Sequence, residues 1–173
     1  MNARTFLAVV GIACLLAVPV AAAGPGAVVA SADGGAHWTI PLPNDFGVVV
    51  QNRTLAFNAR RYEDGSVSGQ LEYHQVVEGD AFKFNVDVTC FVAYDGNRAK
   101  IGGEVEQSSD PTVPVGTFAW FQVFDNGEGA GAPPDQSSLV GFGDETANEA
   151  FCNSSRLPRF GPWDVHGNIQ VQA

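Results

Sequence analysis

The residues with the most pointed chemistry form an acidic, glycine-rich cluster in the second half of the chain. Asp125, Asn126 and Glu128 stand close together, and Asp135 follows after a stretch rich in Gly and Pro. Carboxylate and amide oxygens bind Ca²⁺, which takes about six to eight of them. The spacing lacks the alternating ligands and the distal Glu of an EF-hand loop. We favour a turn through Asn126-Gly127 whose carboxylates are solvated or cap backbone amides, and keep Ca²⁺ binding as the alternative.

Catalytic chemistry has little support in the sequence. The three histidines, His37, His74 and His166, stand singly, without the local spacing of a zinc site. No Gly-x-Ser-x-Gly nucleophile elbow is present, and paired carboxylates fit an acidic solvent-facing surface. We therefore predict no catalytic residues, no cofactor other than the Ca²⁺ alternative, and a protein that is not an enzyme.

Aromatic side chains offer a second kind of binding chemistry. Phe160 and Trp163 lie in a segment of irregular pattern, Gly143 to Asp164, and we expect them to be exposed and to contact a ligand. Aromatic residues on regular strands more often belong to the core. We expect this for Phe118, Trp120 and Phe124.

The first 23 residues have the pattern of a signal peptide. Arg4 supplies a positive charge, residues 6–20 are apolar, and Ala21-Ala22-Ala23 provides a cleavage site. Cys14 raises lipid anchoring as a less favoured alternative, because the apolar run continues past it. We predict a secreted protein with no stable membrane insertion after cleavage.

Two cysteines, Cys90 and Cys152, follow the predicted leader. In an oxidising compartment a lone pair of cysteines is most simply a disulfide. Closing a loop of this length would stabilise the fold by about 4 kcal/mol on the chain-entropy model. The bond would also tether the irregular segment that contains Cys152.

Charge excludes one class of partner. Nineteen Asp and Glu face nine Lys and Arg, which gives a net charge of −10. Removal of Arg4 with the leader would make the charge one unit more negative, −11. Such a field repels phosphate backbones, so we expect no nucleic-acid binding.

Hydrophobic and polar residues alternate along most of the chain. The clearest run comprises Phe82, Phe84, Val86, Val88, Cys90 and Val92. Period-two alternation is typical of strands with one face on the core and one in water, and Gly- and Asn-containing turn signals separate the runs. We therefore predict an all-β fold, a single antiparallel β-barrel or β-sandwich of about eight strands, with one long disulfide-tethered loop.

The remaining segments follow from composition. Residues 24–36, rich in Gly and Ala without a period, are predicted to form a flexible arm before a single β-domain over 37–173. Residues 144–152 are the best helical segment. Residues 117–124 are apolar on both faces, which predicts a strand that is central or covered on its outer side.

Several segments, in this order, resemble the small exported bacterial β-modules of the post-COAP type. The similar segments run from Leu55 to the C-terminus, and Gly143 to Asp164 is an insert relative to the usual pattern. The resemblance implies the β-fold and export, and it carries no established activity. The segments are Leu55 to Arg61, Gly65 to Tyr73, Val88 to Cys90, Asn97 to Ala99 with Gly102-Gly103, Val123 to Glu128, and Gly167 to Val171.

These observations predict a secreted, non-catalytic binding or adhesion module that recognises an extracellular ligand, such as a carbohydrate or a protein, through its loops. A β-barrel that carries a small apolar ligand is the alternative. A carrier of that kind needs an internal cavity of about 300 Å³ or more. A hydrolase is the least favoured class.

Overall fold

A computed structural model describes residues 26–44, 47–155 and 161–173. The predicted signal peptide and Phe160 lie outside these ranges. The described chain forms ten strands and one helix: β1 Val28–Asn44, β2 Gly47–Tyr62, β3 Val67–Val77, β4 Asp80–Tyr94, β5 Arg98–Ser108, β6 Phe118–Phe124, β7 Gln136–Ser137, β8 Gly141–Gly143, α1 Glu145–Asn153, β9 Trp163–Asp164 and β10 His166–Gln172.

The strands form one nearly closed antiparallel barrel, which confirms the predicted all-β class. Their order is β10-β1-β2-β3-β4-β5-β6-β7-β9, and β8 lies beside β6. Strands β1 to β5 are long, whereas β7, β8 and β9 have two or three residues each. These short segments account for the excess over the expected eight strands.

The first strand corrects the prediction of a flexible arm. Residues 28–36 belong to β1, which pairs with β2 on one side and with β10 on the other. Their inward face consists of small residues, among which Ala32 and Ala36 are fully or almost fully buried. A Cβ on Gly34 would lie 2.6 Å from the carbonyl oxygen of Asn168, so β10 packs closely here. Sequence periodicity does not reveal this part of the strand, because small residues give little contrast in hydrophobicity between the inward and the outward positions.

Strand β4 changes face partway along its length. Val86 and Val88 point into the barrel, and a register shift between Val88 and Cys90 then turns Phe91 inward. The predicted alternation through Val92 is therefore wrong beyond Val88. The bulge directs Cys90 outward, where it forms the predicted disulfide with Cys152 (Cα–Cα 6.3 Å).

Side chains from opposite walls meet inside the barrel. Phe57 on β2 packs edge-on against Phe121 on β6, with ring centres 5.3 Å apart. On the neighbouring strands β3 and β4, Tyr73 stacks on Phe84 with ring centres 4.9 Å apart. These contacts place aromatic rings in the interior, and the alternative of an internal ligand carrier stays a prediction.

Helix α1 covers the outer face of β4, β5 and β6. It begins after Asp144, whose side chain accepts a 2.8 Å hydrogen bond from the Ala147 amide, so the predicted helical segment is confirmed. Trp120 on β6 packs outward against Phe151 of the helix, with ring centres 6.1 Å apart. The prediction that this strand is covered is thus confirmed.

The same arrangement corrects our assignment of faces on β6. Phe118, Trp120 and Phe124 share the outer face of the strand. The residues that enter the barrel core are Ala119, Phe121 and Val123.

Gly102 on β5 allows α1 to lie directly on the sheet. A Cβ at this position would approach Oδ1 of Asn148, a buried helix residue, to 2.0 Å. Only glycine therefore fits at this helix–strand contact.

Candidate functional site

The acidic cluster lies at the seam where the barrel closes. The backbone amide of Ile169 on β10 donates a 2.7 Å hydrogen bond to Oδ2 of Asp135. Two residues on, the amide of Val171 donates to Oδ2 of Asp125 at 3.0 Å. The edge of β10 that faces away from β1 therefore donates these backbone amides to carboxylates and not to a neighbouring strand.

The remaining carboxylate oxygens of the seam also have donors. Oδ1 of Asp135 accepts from the Asn126 amide at 2.8 Å, and Oδ1 of Asp125 accepts from the Gly127 amide at 2.9 Å. Each aspartate therefore binds an amide of the loop between β6 and β7 with one carboxylate oxygen, and an amide of β10 with the other. Asp135 is almost fully buried, which makes these charge-assisted bonds strong.

Glu128 adds an exposed contact across the same seam. Its Oε1 accepts hydrogen bonds from the side-chain amides of Gln170 at 2.7 Å and Asn168 at 3.1 Å. These two bonds, that from Gln170 first, lower the pKa of Glu128 below its ordinary value. Asn126 also binds within the loop, where its Nδ2 donates to the Pro134 carbonyl at 2.6 Å.

This hydrogen bonding gives the predicted Ca²⁺ ligands a defined structural role. Asp125 and Asp135 hold backbone amides, as the favoured interpretation of the cluster expected. Within residues 26–44, 47–155 and 161–173, no group of three or more His, Cys, Asp or Glu side chains is placed to hold a metal ion. Ca²⁺ binding at Asp125, Asn126, Glu128 and Asp135 stays a prediction.

Trp163 is less accessible than we expected. It lies in β9, is half-buried and packs against the hydrophobic core. Its ring also lies 2.7 Å from where a Cβ on Gly161 would stand, so the neighbouring backbone covers it closely. Trp163 is therefore a core-edge residue rather than an exposed anchor, and Phe160 lies outside the described residues.

A cleft with a volume of about 570 Å³ lies on the outside of the barrel. One wall is the hairpin that joins β4 and β5, and the other is the end of α1 with the residues after it. The side chains that offer polar or aromatic groups to the cleft are Tyr94, Asp95, Arg98, Asn153, Ser154 and Ser155.

Lys100 closes the base of this cleft and is almost fully buried, with 3% of its surface exposed. Its Nζ donates to the carbonyl oxygens of Phe151, at 3.1 Å, and Ser154, and to the Ser154 hydroxyl at 3.3 Å. The ammonium also lies 5.1 Å from the centre of the Phe151 ring. Lys100 thus neutralises the carbonyl end of α1, and burial lowers its pKa.

Arg98 has donor capacity that the described residues leave unused. Its guanidinium lies over the Phe124 ring at 5.1 Å, and Nη1 is 3.4 Å from Oδ2 of Asp95. The buried Nε atom has no hydrogen-bond partner in the described part of the chain. Arg98 lines the cleft and brings a positive charge and guanidinium N–H donors to it, although the buried Nε itself is not accessible to a ligand.

Tyr94 presents an aromatic ring beside Arg98. Its hydroxyl oxygen accepts a hydrogen bond from Nε2 of Gln122, which fixes the ring, and burial raises the pKa of the phenol. The ring and the Val92 side chain supply apolar surface, and the serine and asparagine side chains supply donors and acceptors. Together these groups are suited to binding a ligand.

Sequence reasoning missed this cleft. Turn signals and strand periods predict local structure, but they do not specify which elements lie side by side. The bulge in β4 and the disulfide help to hold α1 beside the β4–β5 hairpin, where the cleft lies.

Comparison of the chain with known protein families, curated proteins and solved structures finds no significant match. The resemblance to post-COAP modules accordingly stays a prediction. No helix in the described ranges is both long and apolar enough to cross a bilayer.

Proposed function

We propose that this protein is a secreted, non-catalytic binding module that recognises a carbohydrate in the cleft between the β4–β5 hairpin and the end of α1. The observation that carries the proposal is the convergence of the aromatic ring of Tyr94 with the guanidinium of Arg98 in one cleft of about 570 Å³. Ligand pockets commonly have volumes of about 300–1000 Å³.

The chemistry of the lining suits a sugar. A pyranose has apolar C–H faces, which pack on aromatic rings, and hydroxyls that both donate and accept hydrogen bonds. Tyr94 offers the ring, Arg98 the donor, and Ser154 and Ser155 the groups that do both. A wholly apolar ligand would leave these polar groups unpaired, at a cost in free energy.

The cleft is held rigid by three independent contacts. The Cys90–Cys152 disulfide fixes the C-terminal end of α1 to β4, and Lys100 holds the carbonyl oxygens of Phe151 and Ser154 at the same end. Gly102 lets the helix lie on β5 without a gap. A preorganised site loses little conformational entropy on binding, which favours affinity for flexible saccharides.

Export agrees with this function. A disulfide is compatible with an oxidising, extracellular environment. Together with the predicted signal peptide it supports a role outside the cell, where carbohydrates are abundant ligands.

A glycan microarray tests the proposal directly. The purified, labelled protein is expected to bind a structurally related group of glycans, and Arg98→Ala should reduce that signal at least about tenfold, as expected for loss of a charged hydrogen bond. Arg60→Ala is the matched control, because Arg60 is an exposed arginine on β2 away from the cleft.

Two results would overturn the proposal. Absence of binding to every glycan on the array would refute the ligand class. Equal binding by the Arg98→Ala and wild-type proteins would refute the location.

A further inference from the structure

Two histidines from opposite ends of the chain meet on the barrel surface. The register of β1 and β10 places His37 directly opposite His166. Both side chains are exposed, and their ring centres are 5.2 Å apart with the planes tilted by 31°. This pair lies outside the cleft and plays no part in the proposed function.

The distance between the two ring centres matches the distance expected when two imidazoles bind the same metal ion. Zn–N bonds are about 2.0–2.1 Å long, and the ring centre lies about 1.1 Å behind the nitrogen, so two imidazoles on a tetrahedral ion have centres about 5 Å apart. The 5.2 Å spacing therefore needs only rotation about the side-chain bonds to direct one nitrogen of each ring at a shared ion.

The strands themselves hold the two ligands in position. His37 and His166 form the last of seven consecutive residue pairs between β1 and β10, and β1 is paired along its other edge with β2. Since both backbones are fixed by sheet hydrogen bonds, metal binding does not have to order them. Preorganisation of this kind raises affinity.

We propose that His37 and His166 form a bidentate site for a divalent transition-metal ion of the Zn²⁺ and Ni²⁺ class. Neutral imidazole is a preferred ligand of these ions. Two histidines occupy two coordination positions, so the others remain open to water or to a group from another molecule. The strongly negative protein attracts cations to its surface in general, which helps the ion to reach the site.

His74 provides an internal control for this proposal. It lies on β3, opposite Thr54, which in turn lies opposite His37. Two strand spacings, about 10 Å, separate His74 from His37, with Thr54 between them, and the described residues contain no group of three His, Cys, Asp or Glu placed to hold one ion. His74 is likewise exposed, so its loss should leave the site intact.

The test is isothermal titration calorimetry of the tag-free protein with ZnCl₂ or NiCl₂ alone. We expect one specific site in the wild type and in His74→Ala, and affinity at least roughly tenfold weaker in His37→Ala and in His166→Ala. Circular dichroism and melting temperature verify that each variant is folded.

NMR of the imidazole nitrogens of the wild type provides a second measurement that needs no variant. Zn²⁺ should shift the resonances of His37 and His166 and leave those of His74 unchanged. No binding by the wild type, equal binding by all four proteins, or an equal shift of all three histidines would overturn the proposal.

Discussion

The carboxylate of Asp135 accepts a 2.7 Å hydrogen bond from the backbone amide of Ile169, and this contact links the free edge of β10 to the loop between β6 and β7. Replacing Asp135 with Ala leaves the amides of Ile169 and Asn126 without this acceptor. Hydrogen bonds to charged groups contribute about 1.5–3 kcal/mol, so we expect the free energy of unfolding to fall by about 2–3 kcal/mol.

Urea denaturation measures this effect. Asp87→Ala serves as the control, because Asp87 is an exposed aspartate on β4, and its removal should change stability by less than about 0.5 kcal/mol. Equal stability of Asp135→Ala and Asp87→Ala would show that the carboxylate does not hold the seam.

Glu128 should make the stability of the seam depend on pH. Its hydrogen bonds to Gln170 and Asn168 lower its pKa in the folded state below the ordinary 4.5. A lowered folded-state pKa means that the contribution is present above the ordinary value and is lost as the pH falls through the folded-state value. The stability difference between wild type and Glu128→Gln should therefore shrink as the pH falls from 6 to 3; a difference independent of pH would contradict the assignment.

The disulfide should contribute a large share of the stability. Replacing both Cys90 and Cys152 with Ala frees a loop that spans 62 positions, and the chain-entropy model predicts a loss of about 4 kcal/mol. Guanidinium denaturation with and without reductant measures it, and reductant should affect only the wild type. An unchanged unfolding free energy in the double variant would exclude this role.

Gly102→Ala should displace helix α1 from the sheet. The new methyl group would collide with Oδ1 of Asn148, which is buried between the helix and the sheet, so Asn148 or the helix must move. We expect a destabilisation of about 1–3 kcal/mol, typical of overpacking. Because α1 forms one wall of the cleft, glycan binding should weaken with it.

Gly35→Ala is the matched control for that substitution. Gly35 also lies in a strand, and a Cβ there meets nothing within 4 Å. Melting temperatures of the two variants should therefore differ by several degrees, and equal values would show that Gly102 is not a close-contact position.

Ca²⁺ addition separates the two interpretations of the acidic cluster. Asp125 and Asp135 already accept hydrogen bonds through all four carboxylate oxygens. We therefore expect the same melting temperature in chelator and in millimolar Ca²⁺. An increase that grows with occupancy would support the Ca²⁺ alternative.

Local patterns predicted the class of fold because each strand has its own two-residue period. They failed where small residues replaced large ones, as at Ala32 and Ala36, since hydrophobic contrast is lost although the face is still buried. They also failed at the bulge after Val88, because a register shift depends on the partner strand.

Site prediction failed for a related reason. The acidic cluster was recognised from composition, but its partners, Ile169 and Val171, come from a strand near the C-terminus. His37 and His166 seemed isolated because only the return of β10 to β1 brings them together. Contacts between distant segments require the topology, which single-strand periodicity does not specify.

The central claim is that the cleft beside α1 is a carbohydrate site, and residue-resolved NMR tests it most directly. Isotope-labelled protein is titrated with cellobiose, chitobiose and glucuronate as probes. We predict saturable shifts at Tyr94, Arg98, Ser154 and Ser155 with at least one probe, and none at the seam residues Asp125 and Asp135. The claim is contradicted if no probe shifts these four residues, or if the saturable shifts lie at the seam instead.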